Sequence, residues 1–106
     1  MTTARIISHS EAQAALDRLF NVALSDTGQS RVTANFLLAW WNAQDWGGFD
    51  IAELFSVDRA IADDMACIFS YLGQHGSATY ADAFDRRAET VELVRLWRKS
   101  DVEAAE

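Results

Sequence analysis

Apolar residues recur along this chain at the spacing of helices. Ala12, Ala15, Leu16, Leu19, Phe20 and Ala23 fall every three or four positions and form one stripe, the pattern of an amphipathic helix with one face turned to a core. Ser8, with Glu11 three residues on, has the form of a capping box, in which hydroxyl and carboxylate each satisfy a free backbone donor at a helix start. Asp26, Thr27 and Gly28 predict the stop of this first helix. A second is predicted to begin after Ser30 and run to Gln44, ending at the pair Gly47 and Gly48. Asp50 and Glu53 form a second capping-box pattern over a short helical turn at 51–55. Val57, Ile61, Met65, Ile68 and Leu72 lie within a narrow arc at 100° per residue, so Ser56 or Asp58 caps a third helix that Gly73 closes. Its far side carries Arg59, Asp63 and Ser70. Residues 74–80 read as a loop, followed by a short helical turn near 80–84. A fourth helix over 86–99 turns Leu93, Val94, Leu96 and Trp97 inward, with Arg95, Arg98 and Lys99 where cations complement the helix dipole.

These elements predict an all-α fold: a compact irregular bundle of about four main helices plus short helical turns. Its expected core holds Trp40, Phe36, Ile61, Ile68, Leu93 and Trp97. At 106 residues the chain reads as a single helical domain over 1–106, able to bury roughly two-thirds of its unfolded surface without disulfide or metal. The stretches 1–7 and 100–106 are expected to be flexible ends. The absence of proline fits a chain of helices broken by glycine instead, and half the residues being apolar excludes a disordered tail.

Charge and residue types narrow the function by exclusion. Nine basic against 16 acidic side chains leave a net charge of −7 and a sequence pI near 4.6, the opposite of a module that grips phosphates, so no direct nucleic-acid binding is expected. One cysteine makes neither an intramolecular disulfide nor a Cys-rich zinc site. His9 and His75 stand far apart, and no HExxH, CxxC or calcium-loop pattern occurs. Gly73-Gln-His-Gly76 lacks the Lys and Ser/Thr of a phosphate loop. The expectation is therefore a protein without cofactor or metal that is not an enzyme. No apolar run approaches the roughly 18 residues of a membrane span, and the opening residues have no apolar signal region; a cytoplasmic protein is the default.

The stretch Asn35-Phe-Leu-Leu-Ala-Trp-Trp-Asn-Ala-Gln-Asp-Trp-Gly-Gly-Phe-Asp50, followed by Val57-Asp-Arg-Ala-Ile-Ala-Asp-Asp-Met65, resembles an uncharacterised family of small acidic bacterial proteins encoded near plasmid and integrative-element genes. Tandem tryptophans before an acidic Trp-Gly-Gly-Phe-Asp turn are compositionally rare, and the resemblance spans roughly 31–98. It implies a mobile-element setting and carries over no catalytic residue.

The second helix is apolar over so wide an arc that it must face two neighbours at once. Only Arg31, Asn35 and Asn42 define a polar side. Either it is the central helix of the bundle, or Leu38 and Trp41 present a docking surface for a homodimer or a target protein. Trp46 and Phe49, on either side of the two glycines, either fold back over the core or form an exposed recognition loop. Between Asp45 and Asp64 six carboxylates face one Arg. Asp50, Asp58 and Glu53 suit helix starts, while with Asp45 and Asp63 they could also make an acidic face for a basic partner. Asp64 flanks the apolar stripe and needs a Trp or Arg donor. Cys67 reads as a small, partly buried hydrophobe and His75 as a solvated loop residue. The functional expectation is a non-enzymatic protein-binding or accessory domain, with Leu38, Trp41, Trp46, Phe49, Asp45, Asp50, Glu53 and Asp63 as its candidate contacts. The competing expectation is an acidic inhibitor that imitates nucleic acid and blocks a basic surface of a host defence or DNA-binding protein.

Overall fold

Ser8 opens the first helix as its spacing predicts: its Oγ accepts from the Glu11 amide at 3.1 Å, and the Glu11 carboxylate accepts from the Ser8 amide at 3.4 Å. The computed structural model describes residues 5–75 and 78–104. Its order is α1 (His9–Ala23), α2 (Gly28–Trp46), a 3-10 turn (Ile51–Ser56), α3 (Arg59–His75), a second 3-10 turn (Ala81–Phe84) and α4 (Arg87–Ala104). The fold is an all-α bundle, with no strand among the described residues. Residues 1–4 and 105–106 of the predicted flexible ends lie outside the described residues; Ile7 is buried, and α4 continues to Ala104.

Besides the end of α4, three boundaries differ from the sequence expectation, each for a local reason. Gly28 starts α2 rather than stopping α1, because Thr27 is the cap: its Oγ1 accepts from the Ser30 amide at 3.0 Å. At the other end, Asn42 leaves helical geometry (φ −162°, ψ 85°). Its Oδ1 accepts from the Asp45 amide at 3.1 Å, and its Nδ2 donates to the Asp45 carboxylate at 2.9 Å. Asn42 thus kinks α2 and caps a further turn that carries the helix to Trp46. Gly47 then takes φ +96°, a region that favours glycine. Finally, α3 runs through Gly73 to His75. The Gln74 side chain holds that last turn, its amide donating to the Arg5 carbonyl at 2.9 Å and its Oε1 accepting from the Ile7 amide at 2.8 Å. The second capping box is only half made. Asp50 accepts from the Ala52 amide at 3.0 Å, whereas Glu53 turns to Arg31.

The α1 stripe is buried in full and forms the middle of the molecule, with α3 packed on one side, α2 on the other, and α4 on α2. Of the expected core, Ile68 and Leu93 are buried, whereas Phe36, Trp40, Ile61 and Trp97 are half-buried at its edge. The two indoles sit there because each N–H needs an acceptor. Trp40 donates to the Thr79 carbonyl and Trp97 to the Ala23 carbonyl, both at 2.9 Å. The buried hydroxyls of Thr33 and Thr90 donate to the Gln29 and Arg86 carbonyls, each at 2.7 Å. Because α3 leans chiefly on α1, the molecule is long, 53 × 28 × 21 Å, with a radius of gyration of 14.0 Å against about 13 Å for a compact chain of this length.

Candidate binding groove

The space left between α3 and the second half of α2 is an open groove of about 590 Å³. Phe36, Ala39 and Trp40 of α2 form one wall. The turn after Gly47 and Gly48 brings Phe49 edge-on to Phe36, ring centroids 5.4 Å apart at 85°, and the first 3-10 turn adds Ile51 and Leu54. The opposite wall is α3, through Ala62, Met65, Ala66, Phe69 and Leu72, with Ser70 as its polar exception. Helical spacing accounts for that wall. Ile68 and Tyr71 are buried and Ile61 packs against the core, while on the adjoining face Ala66 and Phe69 are exposed and Ala62 is half-buried. Phe69 is 76% exposed and Ile51 75%. On the same 3-10 turn, Phe55 is 93% exposed. Large apolar side chains exposed together at a groove mark a contact surface.

Polar groups surround this groove at a distance, and most are already engaged. Glu53 pairs with Arg31 at 3.4 Å, Asp63 with Arg59 at 3.7 Å, and the Asp64 carboxylate accepts from Arg18 Nε at 3.0 Å and Nη2 at 2.9 Å. Of the Trp or Arg donor expected for Asp64, the structure supplies Arg18, and the pair raises the Arg18 pKa. Asp58 exchanges hydrogen bonds with Gln29, at 2.6 and 3.3 Å, tying the start of α3 to the start of α2. The acidic stretch of the sequence is thus largely divided among helix caps and ion pairs.

The eight candidate contacts separate accordingly. Phe49 lines the groove, and Asp50 and Glu53 stand on or beside the 3-10 turn that forms one end of it. Leu38 is fully buried in the core, which corrects its reading as an exposed anchor: its side of α2 is one of the two faces that α1 and α4 cover. Trp41 is half-buried against the core and is not a groove wall. Trp46 is also half-buried, and its carbonyl accepts from Arg98 Nε at 3.1 Å while Arg98 donates to Asn35 Oδ1 at 2.6 Å. The Trp46 end of α2 is therefore clamped to α4. Asp45 is held by Asn42, and Asp63 is exposed beside Arg59. Phe69 and Ile51 were missed. The signal for Phe69 was present, since Ala62, Ala66 and Phe69 widen the apolar arc of α3 beyond what one neighbour covers.

Other candidate chemistry is dispersed. His9 stacks on Phe84, centroids 4.9 Å apart, and its Nδ1 lies 3.3 Å from the Tyr71 hydroxyl. His75 is exposed and lies against Tyr71. Burial pushes the Cys67 thiol above its ordinary pKa, and the Glu11 and Asp64 carboxylates add to that. Among the described residues no group of His, Cys, Asp and Glu is arranged to hold a metal ion, and no helix is long and apolar enough to cross a membrane.

A model of a family of unknown function, DUF7673, matches residues 13–98. The chain belongs to this family. The matched span contains every residue of the groove and extends back along α1 to Gln13, beyond the stretch that carried the sequence resemblance. Neither a curated protein nor a solved structure matches the chain.

Proposed function

We propose that this DUF7673 member is a non-enzymatic protein-binding domain of the cytoplasm, acting as an accessory factor of a mobile genetic element, and that its contact surface is the groove between α2 and α3. The observation that carries the reading is an open apolar groove of about 590 Å³ with Phe69 and Ile51 exposed at it. Walls that are apolar save for Ser70 suit the capture of apolar side chains, and they offer no titratable group for acid–base or nucleophilic work. Pairing of Glu53, Asp63 and Asp64 with arginines favours this reading over nucleic-acid imitation, which calls for carboxylates left free to meet a basic surface.

The test is site-specific photo-crosslinking in cells. A photoreactive residue at Phe69 is expected to give a discrete protein adduct, and one at the exposed Gln13 on α1 none. Equal labelling at both positions, or no adduct at Phe69, would refute the proposal.

A further inference from the structure

We infer that the occupant of the groove is a second copy of this chain, in a two-fold dimer with α3 packed antiparallel on α3; this rests on the protein-binding reading above and names its partner. A two-fold interface must be complementary to itself, so it needs a protrusion and a recess side by side on one surface. That is the arrangement here: Phe69 stands out from α3 one to two turns beyond Ala62 and Ala66, beside the recess bounded by Phe49 and Ile51. With the axis passing between Met65 and Ala66, Phe69 lies about 5 Å along α3 from the axis, level with Ala62 of the second copy on the other side. The small residues Ala62 and Ala66 leave room for the helices to approach and for each Phe69 to enter the opposite recess.

Area and charge support the same occupant. Taking about 200 Å² for a large apolar side chain, Phe69, Ile51 and Phe55 expose roughly 450 to 500 Å² between them, at the stated 76, 75 and 93%. With the groove walls, two copies would cover somewhat more than about 1,000 Å², the threshold of a specific interface. The charges beside the face are matched within each chain, Arg59 with Asp63 and Arg31 with Glu53. Two copies can therefore meet there despite a net charge of −7 each, whereas a basic partner would find few free carboxylates at this face.

The experiment is light scattering of the purified full chain from about 1 to 300 µM at low and high salt, with Phe69→Glu and, in a Cys67→Ser background, Ala66→Cys and Gln13→Cys. The expected results are a mass moving towards twice 11.8 kDa with concentration, association unchanged or tighter at high salt, and a dissociation constant raised at least about 30-fold by Phe69→Glu with helical circular dichroism preserved. Mild oxidation is expected to link the Ala66→Cys variant into covalent dimers and leave Gln13→Cys without a covalent link. A monomer throughout the concentration range overturns the inference, as does a dimer that Phe69→Glu leaves intact or one that high salt dissolves. A monomer that still gives a heterologous adduct at Phe69 in cells overturns the dimer alone; a monomer with no adduct overturns the protein-binding reading as well.

Discussion

Replacing Leu38 by Ala separates the enclosed core from the open groove. Leu38 is fully buried, so the substitution removes three carbons from the core, about 2.4 kcal/mol of transfer free energy, and leaves a cavity that raises the loss to about 3 to 4 kcal/mol. Against a total of about 5 to 15 kcal/mol for a domain of this size, that is a large fraction. At about 4 to 8 °C per kcal/mol, Tm should fall by roughly 12 to 32 °C. The urea midpoint, followed by circular dichroism at 222 nm, should fall by about 2 M. Phe69→Ala is the control. With 76% of Phe69 exposed, roughly 50 Å² of buried surface is lost, worth about 1 kcal/mol. Both variants should be measured at low protein concentration, so that association adds nothing to stability. A Leu38→Ala cost at or below that of Phe69→Ala would refute the assignment of Leu38 to the core and of Phe69 to an open face.

Two further outcomes follow from side chains described above. Arg98→Ala leaves the Asn35 amide oxygen and the Trp46 carbonyl without their guanidinium partner, so it should cost about 1 to 3 kcal/mol and speed amide exchange around Trp46; unchanged exchange there would remove the clamp from the account. Cys67, its thiol held neutral by burial and by the Glu11 and Asp64 carboxylates, should react with iodoacetamide more slowly than a free cysteine at pH 8, near the ordinary thiol pKa of about 8.5. Since its raised pKa favours the neutral form in the folded state, the associated stability is present below the ordinary pKa and lost as pH rises through the folded value. Equal rates in the folded protein and in urea would contradict it.

The helices were legible in the sequence wherever one face has one neighbour. The α1 stripe, the Ser8 and Glu11 box and both short helical turns follow from spacing and capping chemistry alone. Legibility ended where a residue's role depends on a distant segment. Gly73 resembles a stop signal until Gln74 is seen to tie the turn to Arg5 and Ile7. Leu38 and Trp41 are alike as large apolar residues of one helix, yet only the placement of α1 and α4 decides that Leu38 is enclosed. The groove was the least legible feature, because Phe49 and Phe69 lie 20 residues apart and come to line one groove only through the turn at Gly47 and Gly48 that follows the kinked end of α2.

The way α3 leans chiefly on α1 among the long helices bears on how the molecule comes apart. In a bundle where every helix touches two others, opening any one breaks contacts throughout. Here α3 can move away while α2 and α4 stay joined, so the groove is also a seam, and amides of α3 are expected to exchange through a partial opening of lower free energy than global unfolding. A molecule seated in the groove would close that seam from the open side. Its binding energy would then appear as raised protection along α3, a stiffening distributed over the whole helix and not confined to the residues it touches.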